Sequence, residues 1–497
     1  MSSRELTLQD LLVVEDDPTI LAFSCAETGI PVWTQIRIVL LRMIMSDLLY
    51  GTNLNATTAA RAPARRAIGT LSRSIVHNTQ SRVSGRSRGD VCLVATGIGN
   101  QPVDGKWLNR LSDQFALACH SNTTTLEGHF EWNWPFPRHN ERVIFHAPLQ
   151  AFTAVAGRLR LREAHAQQAD ALVDIVLARA ERLLEWRPGA SRARELRTRL
   201  SRRIAAMPYQ YRAYQALLNR VQPRILIVEE ACYGNTATLI AAARRRGIVT
   251  AEYQHGAVSS GHDAYNFAPA VRESAAYQQT LPHNFLGYGT WWNEQFNAPL
   301  TKIVIGNPNR EAALARAEIS GGSRCDLLIL SDGIEFDLYL ELAKQIAPVA
   351  ARSGLNVVLR AHPLERSVVA ARYGDRVDEV TLDKNANLYT SLRSAHVVVS
   401  EVSTGLFEAV GLADKLFVWN TPKARFGYPR HPFQTFSSAA MLAELLASDS
   451  AGRLPASDLE AIWAPSWRTN YLGFLEAHGV YCVDSGAPVR SIAHDES

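Results

Sequence analysis

The segment SLRSAHVVVSEVSTGLFEAVGLADKLFVWN (391–420) decides the fold. Its first apolar run, HVVVS, is followed by a short polar stretch, a helical pattern and a second apolar run, KLFVWN. Apolar runs that do not alternate with polar residues are typical of strands buried on both faces, as in parallel sheets. The segment therefore predicts one strand–helix–strand unit of a parallel α/β sheet.

The same pattern recurs along most of the chain, and helical patterns such as TATLIAAARRRG (236–247) separate most of the apolar runs. Ten such runs predict strands, at residues 91–96, 143–148, 225–230, 249–256, 285–289, 303–308, 326–333, 356–363, 396–404 and 415–420. This succession predicts the α/β class with two Rossmann-like halves.

The chain has 497 residues, which is too many for one ordinary core. We place a domain boundary near residues 295–308. Residues 1–295 then form an N-terminal Rossmann-like domain with a helical, arginine-rich insertion at about 150–220. Residues 296–482 form the C-terminal Rossmann-like domain, and 483–497 a flexible tail.

Charge and cysteine usage bound the function only loosely, since the net charge is +4. Seven arginines and no acidic residue lie between Arg61 and Arg88. This segment could approach anionic lipid, a polyanionic glycan or nucleic acid, or it could be a solvated surface. Six cysteines without a CxxC pair predict reduced core thiols and a cytosolic compartment. VWTQIRIVLLRMIMSDLLYG (32–51) predicts an amphipathic helix, because Arg37 and Arg42 argue against a membrane span.

Polar groups follow several of the predicted strands, and ligands of open α/β sheets bind beyond the carboxyl ends of strands. Ser403, Thr404 and Gly405 start a helix after one strand, where a diphosphate or phosphodiester could bind, or where Ser403 is an ordinary N-cap. Glu408, four residues after Thr404, could accept hydrogen bonds from ribose hydroxyls, or it could be a solvated carboxylate.

Two further strand ends carry candidate donor-binding groups. His362 follows the apolar run VVLRA and could donate to a phosphate or protonate a leaving oxygen, although a strand-end turn also explains it. Asp332-Gly333 follows LLILS and is either a tight turn or the frame of a nucleotide site.

A possible catalytic base lies in the N-terminal half. Glu229 and Glu230 end one predicted strand, and Gln254, His255 and Gly256 end the next. A carboxylate beside an imidazole is a plausible base for an acceptor hydroxyl. Only one of the two glutamates can face the cleft if the strand stays pleated to its end, and the sequence does not choose between them.

Metal ligation is not expected, because HExxH, a Cys/His cluster and a DxD after a strand are all absent from the sequence. The glycine-containing segment VATGIGNQPVDG (94–105) does not match GxGxxG. We interpret it as a loop at the carboxyl edge of the sheet, in contact with the acceptor.

The series EYQHG, FLGYGTWW, IGNP, SDG, RAHP and SEVSTGLFEAVGL (within 225–420) resembles bacterial capsule and lipopolysaccharide glycosyltransferases of the GT-B type. It is also similar to polysialyltransferase-like and glycerophosphotransferase-like enzymes. Nearer the start, PVWTQIRIVLL (31–41) resembles the family's Trp–Arg helix. The resemblance implies two Rossmann-like domains facing a cleft, with the acceptor on the N-terminal side and the nucleotide-activated donor held mainly by the C-terminal domain.

For this chain, the resemblance implies that His362 and the Ser403/Thr404 helix start bind the donor phosphate. Asp332-Gly333 matches the acidic-Gly motif, but Ser331 stands where the family has a preceding acidic residue. The base would be Glu229, Glu230 or His255, with Gln254 and Gly256 on the acceptor side.

These residues predict a metal-independent glycosyltransferase of surface-polysaccharide assembly. The nucleotide sugar is a co-substrate, no cofactor is expected, and the acceptor is a glycan or lipid-linked glycan rather than nucleic acid. The expected location is the cytoplasm, with basic segments able to contact the inner face of the plasma membrane. The alternatives are a nucleotide-sugar 2-epimerase-like enzyme and a non-catalytic assembly scaffold that uses the basic surfaces at 61–88 and 187–203.

Overall fold

The computed structural model describes residues 5–54, 63–316, 325–352, 354–363, 365–385 and 387–482. The strands of these residues are β1 Val91–Ala95, β2 Asn100–Val103, β3 Lys106–Asn109, β4 Thr123–Glu127, β5 Val143–Phe145, β6 Ile225–Val228, β7 Val249–Tyr253, β8 Asn284–Gly287, β9 Thr301–Val304, β10 Cys325–Leu330, β11 Val357–Arg360, β12 Arg376–Val377, β13 Val380–Leu382, β14 Ala395–Ser400, β15 Lys415–Trp419 and β16 Gln434–Phe436.

The α-helices of the same residues are α1 Leu8–Leu12, α2 Pro18–Leu21, α3 Arg37–Met45, α4 Ala64–Val83, α5 Asp113–Ala118, α6 Ala147–Leu159, α7 Glu163–Leu184, α8 Ala190–Val221, α9 Ala237–Arg244, α10 Pro269–Glu273, α11 Ala275–Gln278, α12 Thr290–Asn293, α13 Pro308–Arg316, α14 Phe336–Arg352, α15 Arg366–Tyr373, α16 Leu388–Ser394, α17 Thr404–Glu408, α18 Pro422–Gly427, α19 Ala439–Leu446, α20 Ala456–Ile462 and α21 Trp467–Ala477.

The predicted α/β fold with two Rossmann-like domains is confirmed. The first sheet has the order β5-β4-β1-β6-β7-β8-β9 and is parallel throughout. The second has the order β12-β13-β11-β10-β14-β15-β16 and is parallel apart from β12. Every one of the ten predicted strands overlaps a strand of these two sheets.

Each sheet reverses its strand order once, and this reversal positions the candidate site. In the first sheet the chain runs outward from β1 through β4 and β5, then returns to build β6 on the other side of β1. In the second sheet it runs outward from β10 and returns to build β14. Ligands of open α/β sheets bind in the crevice at such switch points. The crevices therefore lie beyond β1 and β6, and beyond β10 and β14.

Sheet membership changes between residues 304 and 325. The division at residue 295 assigns β9 to the C-terminal domain, whereas β9 pairs with β8 as the last strand of the first sheet. Helix α21 likewise returns to the first domain, where Tyr471 contacts Phe115 with ring centroids 4.9 Å apart. The last helix is therefore part of the packing of the N-terminal sheet.

The expectation that all cysteines are reduced core thiols is wrong for one pair. Cys119 and Cys482 form a disulfide, with their Cα atoms 5.2 Å apart, because α21 carries the chain back to α5. Cys25, Cys92 and Cys232 are free and buried, as expected. The Cys325 side chain and the predicted tail 483–497 lie outside the described residues.

The arginine-rich insertion consists of α6, α7 and α8, and Pro188-Gly189 lies between α7 and α8. In the segment predicted as one amphipathic helix, a 3₁₀ turn at Val32–Gln35 leads into α3, which ends in a π-helical turn at Ser46–Tyr50. Among the helices that the structure describes, none combines the length and the hydropathy needed to cross a bilayer.

Candidate active site

The two domains contact each other directly beside the switch points. The backbone N–H of Ala257, just after the Gln-His-Gly strand end, donates to the Thr404 hydroxyl at 3.1 Å. A Cβ atom on Gly256 would lie 3.7 Å from the same hydroxyl oxygen. The Ser259 hydroxyl donates to the backbone oxygen of Gly427 in the second domain. The strand end that follows β7 and the helix start that follows β14 therefore form opposite walls of one cleft.

Glu229 is a structural carboxylate. It is buried, and it accepts hydrogen bonds from the Thr96 N–H at 2.6 Å, the Thr96 hydroxyl at 3.0 Å and the Tyr253 hydroxyl at 3.0 Å. These bonds tie the ends of β1, β6 and β7 together. Burial raises the pKa of Glu229 to about 7, against the opposing effect of the Thr96 N–H.

Glu230 is the glutamate that faces the cleft. Its φ of +55° lies in the left-handed region, so the strand leaves its pleat here and the side chain departs from the Glu229 direction. About a third of the side chain is exposed (34%), and within the described residues its carboxylate accepts no hydrogen bond. The carboxylate lies 3.9 Å from the His255 Nε2 atom. Burial raises the pKa of Glu230, and Arg42 offsets part of that shift.

Backbone strain outside glycine is uncommon and clusters at functional sites. At Glu230 the left-handed backbone directs a carboxylate of raised pKa toward the cleft. An acid with a pKa raised toward neutrality is well matched to accept a proton at physiological pH. Glu230 is therefore the residue of this group best placed to act as a base.

His255 and Gln254 have supporting positions. The pKa of His255 falls to about 3, first because of burial and then through the electrostatic effects of His262 and Arg110. An imidazole with so low a pKa is a poor proton acceptor at neutral pH. Gln254 accepts from the Tyr288 N–H at 2.8 Å and donates to the Gly256 oxygen at 2.8 Å, which fixes the end of β7 beside β8.

On the opposite wall, Asp332, Gly333 and His362 lie together. The Gly333 φ is +86°, and a Cβ atom there would approach the His362 Nδ1 atom to 2.6 Å, so only glycine fits. One Asp332 oxygen accepts from the backbone N–H groups of Ile334 and Glu335 at 2.8 and 3.3 Å. The other oxygen is buried and accepts no hydrogen bond within the described residues. Burial raises the pKa of Asp332.

Ser331, the residue that departs from the family pattern, links this turn to the strand β11. Its hydroxyl accepts from the His362 N–H at 2.8 Å and donates to Glu365 at 2.9 Å. Burial lowers the pKa of His362, and Asp332 opposes that shift. A neutral imidazole carries one N–H donor. Through this N–H the ring can stabilise an anionic leaving group by a hydrogen bond, without giving up a proton.

The helix start at Ser403 is an ordinary N-cap. The Ser403 hydroxyl accepts from the Gly405 N–H at 3.2 Å, and Thr404 accepts from Ala257 across the cleft. Both hydroxyl oxygens are thus already hydrogen-bonded within the protein, and α17 has only five residues. That either residue binds phosphate stays a prediction.

Glu408 lies in the same cleft rather than in solvent. Its carboxylate accepts from the Tyr389 hydroxyl, and its charge acts on Tyr288 of the first domain. Burial raises the pKa of Glu408, while Tyr389, Arg310 and Arg110 oppose the shift. It remains a candidate acceptor of hydrogen bonds from ligand hydroxyls.

Arg110 is the cleft residue that sequence analysis missed. The segment interpreted as a loop is in fact a hairpin of β2 and β3, and Arg110 follows its second strand. Its exposed guanidinium makes no hydrogen bond or ion pair within the described residues. Burial is the main cause of the lowered pKa values of His255 in one domain and His362 in the other, and the positive charge of Arg110 adds to both shifts. Arg110 therefore projects between the two walls, where its forked donors match a phosphate.

No group of three or more His, Cys, Asp and Glu side chains is arranged to hold a metal ion in the part of the chain that the structure describes. Metal independence stays a prediction.

Two buried carboxyls each make a contribution to stability that falls as pH rises. Glu252, like Glu229, has a pKa raised to about 7 by burial. At each of these two groups the folded state binds more protons than the unfolded chain between the ordinary pKa and pH 7. Histidines with lowered pKa values, such as His255 (about 3), make a contribution of the opposite sign below the ordinary histidine pKa. We therefore expect the urea midpoint at pH 7.5, taken relative to that at pH 5.5, to be higher in Glu252→Gln than in the wild type. An unchanged difference in a Glu229→Gln, Glu252→Gln double variant would contradict this assignment.

Comparison with known proteins finds distant structural similarity only. The structure is similar to the UDP-GlcNAc 2-epimerase of Methanocaldococcus jannaschii (9% identity, 78% of this chain, 99% of that chain, TM-score 0.43). It is also similar to that of Neisseria meningitidis bound to UDP-GlcNAc (12% identity, 78% and 100%, TM-score 0.41). A glycotransferase of kitacinnamycin overlays with 12% identity over 79% and 96%, at a TM-score of 0.37. No family model and no curated protein matches the chain. Likeness at these identities and TM-scores assigns no activity to it.

Proposed function

We propose that the protein is a metal-independent glycosyltransferase that moves a sugar from a nucleotide-activated donor to a surface-polysaccharide or lipid-linked glycan acceptor. The observation that carries the proposal is the position of Glu230. Its carboxylate has a raised pKa, accepts no hydrogen bond from the residues that the structure describes, and stands at the switch point of one domain, across the cleft from His362.

In the proposed reaction, Glu230 takes the proton of the acceptor hydroxyl as its oxygen bonds to the anomeric carbon. The bond from that carbon to the donor phosphate breaks, and the phosphate oxygen keeps the electron pair. Arg110 and the neutral His362 imidazole stabilise the charge that develops on this oxygen. Fixed donors are effective in this role because they need no reorganisation as the charge appears.

The remaining cleft residues provide recognition. One Asp332 oxygen, which has no hydrogen-bond partner among the described residues, and the carboxylate of Glu408 are proposed to accept hydrogen bonds from donor hydroxyls. Gln254 and Gly256 shape the acceptor side, and the basic segments of the N-terminal domain are proposed to bring the enzyme to a membrane-bound acceptor.

A thermal-shift screen with CMP-, CDP-, UDP-, GDP- and dTDP-linked sugars identifies the donor, because a ligand that binds only the folded state raises the midpoint. The best ligand is then offered with and without acceptor glycans. Isomerisation of the donor in the absence of any acceptor would instead favour the epimerase-like alternative. Failure of every nucleotide to stabilise the protein would favour a non-catalytic scaffold.

His362→Ala and Arg110→Gln are each expected to lower kcat about 100-fold, the usual effect of removing one donor to a developing oxyanion. Arg110→Gln is also expected to reduce stabilisation by the nucleotide. The matched control is Lys106→Gln, which removes one charge from the same hairpin outside the cleft. If His362→Ala transfers sugar as fast as the wild type, His362 does not stabilise the leaving phosphate as proposed.

A further inference from the structure

A second cavity lies on the N-terminal domain, away from the cleft. It has a volume of about 690 Å³ and opens between α4, α6 and α8. Its lining is partly apolar and partly basic. The apolar part contains Leu126, Ile144, Phe145, Pro148, Leu149 and Leu217, and the basic part contains Arg82, Arg88 and Arg220.

Arg220 is the residue that indicates a ligand. Its Nε and Nη2 atoms are buried and have no hydrogen-bond partner within the described residues. Burial lowers the pKa of Arg220, and the positive charge of Arg82 lowers it further. Neither Arg82 nor Arg88 has a carboxylate partner in the part of the chain described. Two buried guanidinium nitrogens without a described partner are costly, and an anion in the cavity would satisfy them.

The surface around the cavity is apolar as well as basic. Ile68, Ile75 and Arg82 recur every seven residues and therefore share one exposed face of α4, which also lines the cavity. On α6, Phe152 (64% exposed) and Leu159 (80% exposed) continue the face that begins at the cavity.

The charge of this surface has one sign. Residues 63–89 carry six arginines and residues 147–162 carry three, and neither range contains an acidic residue. Exposed apolar side chains flanked by arginines are the pattern of helices that lie in the interface of an anionic bilayer. A protein partner would not require a cavity lined by arginines between the two apolar faces, whereas a lipid headgroup beneath acyl chains fits it.

We propose that the face formed by α4 and α6 docks on an anionic phospholipid bilayer and that the cavity takes a lipid phosphate headgroup against Arg82, Arg88 and Arg220. The apolar side chains of α4 and α6 insert among the acyl chains. The guanidinium groups bind the phosphate oxygens, whose bidentate geometry they match. Docking is independent of the transferase reaction and needs neither donor nor acceptor.

The test is flotation with vesicles of phosphatidylcholine alone and of phosphatidylcholine mixed with phosphatidylglycerol. The wild-type protein is expected to bind only the mixed vesicles. Arg82→Gln, Arg88→Gln is expected to weaken that binding about 30-fold, since each arginine near the surface contributes about fivefold. Both side chains are exposed, so the variant is expected to fold. Phe152→Ser, Leu159→Ser tests the apolar part and is expected to reduce binding as well.

The matched control is Arg194→Gln, Arg199→Gln, which removes the same charge from the exposed side of α8 outside the cavity. Equal losses in the two charge variants, or no binding to mixed vesicles at all, would overturn the proposal. A soluble short-chain phosphatidylglycerol is expected to raise the thermal midpoint of the wild type but not of the cavity variant. Equal stabilisation by inorganic phosphate alone would show a free-phosphate site and would overturn the lipid assignment.

Discussion

Replacement of Glu230 by glutamine is expected to lower kcat for sugar transfer about 1,000-fold, within the range that follows removal of a positioned general base. Glutamine keeps the size of the side chain and tolerates the left-handed backbone, but its amide does not accept a proton. Because the donor side of the cleft is untouched, the affinity for nucleotide sugar is expected to stay near the wild-type value. Initial rates and a nucleotide titration measure the two quantities separately.

The pH profile identifies the proton acceptor. A base must be deprotonated to act, so kcat is expected to rise with pH through the pKa of Glu230, which burial holds above its ordinary value. Glu230→Gln is expected to lose this rise of kcat with pH. Glu229→Gln is the matched control, because Glu229 is already bonded to Thr96 and Tyr253. Its replacement is expected to lower the stability of the protein and to leave the rise of kcat with pH in place. Loss of that rise in Glu229→Gln alone would reverse the assignment.

The two sheets were predictable because their strands carry their own signal. Continuous apolar runs such as VVVS and LFVW are buried on both faces, and burial of both faces is what a parallel strand between helix layers requires. The strand β4 was missed because its sequence is TTTLE. Its threonines are buried, and their hydroxyls are hydrogen-bonded to groups outside the strand, such as the Cys119 oxygen at 2.8 Å.

The polar strand ends were also predictable as a set, since the carboxyl edge of a parallel sheet gathers them. Their individual roles were not, because these depend on single dihedral angles and on contacts between distant segments. The φ of Glu230 decides which glutamate faces the cleft. Arg110 reaches the cleft only because a hairpin precedes it, and Cys119 meets a partner 363 residues away. Local pattern contains none of this information.

The N-terminal Trp–Arg motif shows how a distant segment supports the site. Glu15 accepts from the Trp33 indole at 2.9 Å and from the Arg37 guanidinium at 2.6 and 2.7 Å. Arg37 also donates to the backbone oxygens of Asp263 and Asn266 at 2.7 and 2.6 Å. The motif therefore clamps the N-terminal arm onto the loop that follows His255.

Arg37→Met is expected to lower the free energy of unfolding by about 3–5 kcal/mol, the usual effect of leaving one charge of a buried pair without its partner. Both Arg37 and Glu15 are almost completely buried (1% and 0% exposed). The loop that carries His262 and Tyr265 loses two anchors, so the Tyr265 hydroxyl that contacts Glu252 at 2.5 Å is expected to become less ordered. Urea unfolding of the variant measures the loss.

Two controls separate buried charge from lost volume. Arg212→Met removes an exposed ion pair with Glu27 and is expected to cost less than about 1 kcal/mol. Adding Glu15→Gln to Arg37→Met removes the stranded charge. The single amide oxygen can still accept from either the Trp33 indole or the Ala268 N–H, which contact different oxygens of the Glu15 carboxylate. The double variant is therefore expected to recover part of the lost stability. If it is no more stable than Arg37→Met, the loss comes from packing and from the bonds to the loop, and the unpaired Glu15 carboxylate is not its cause.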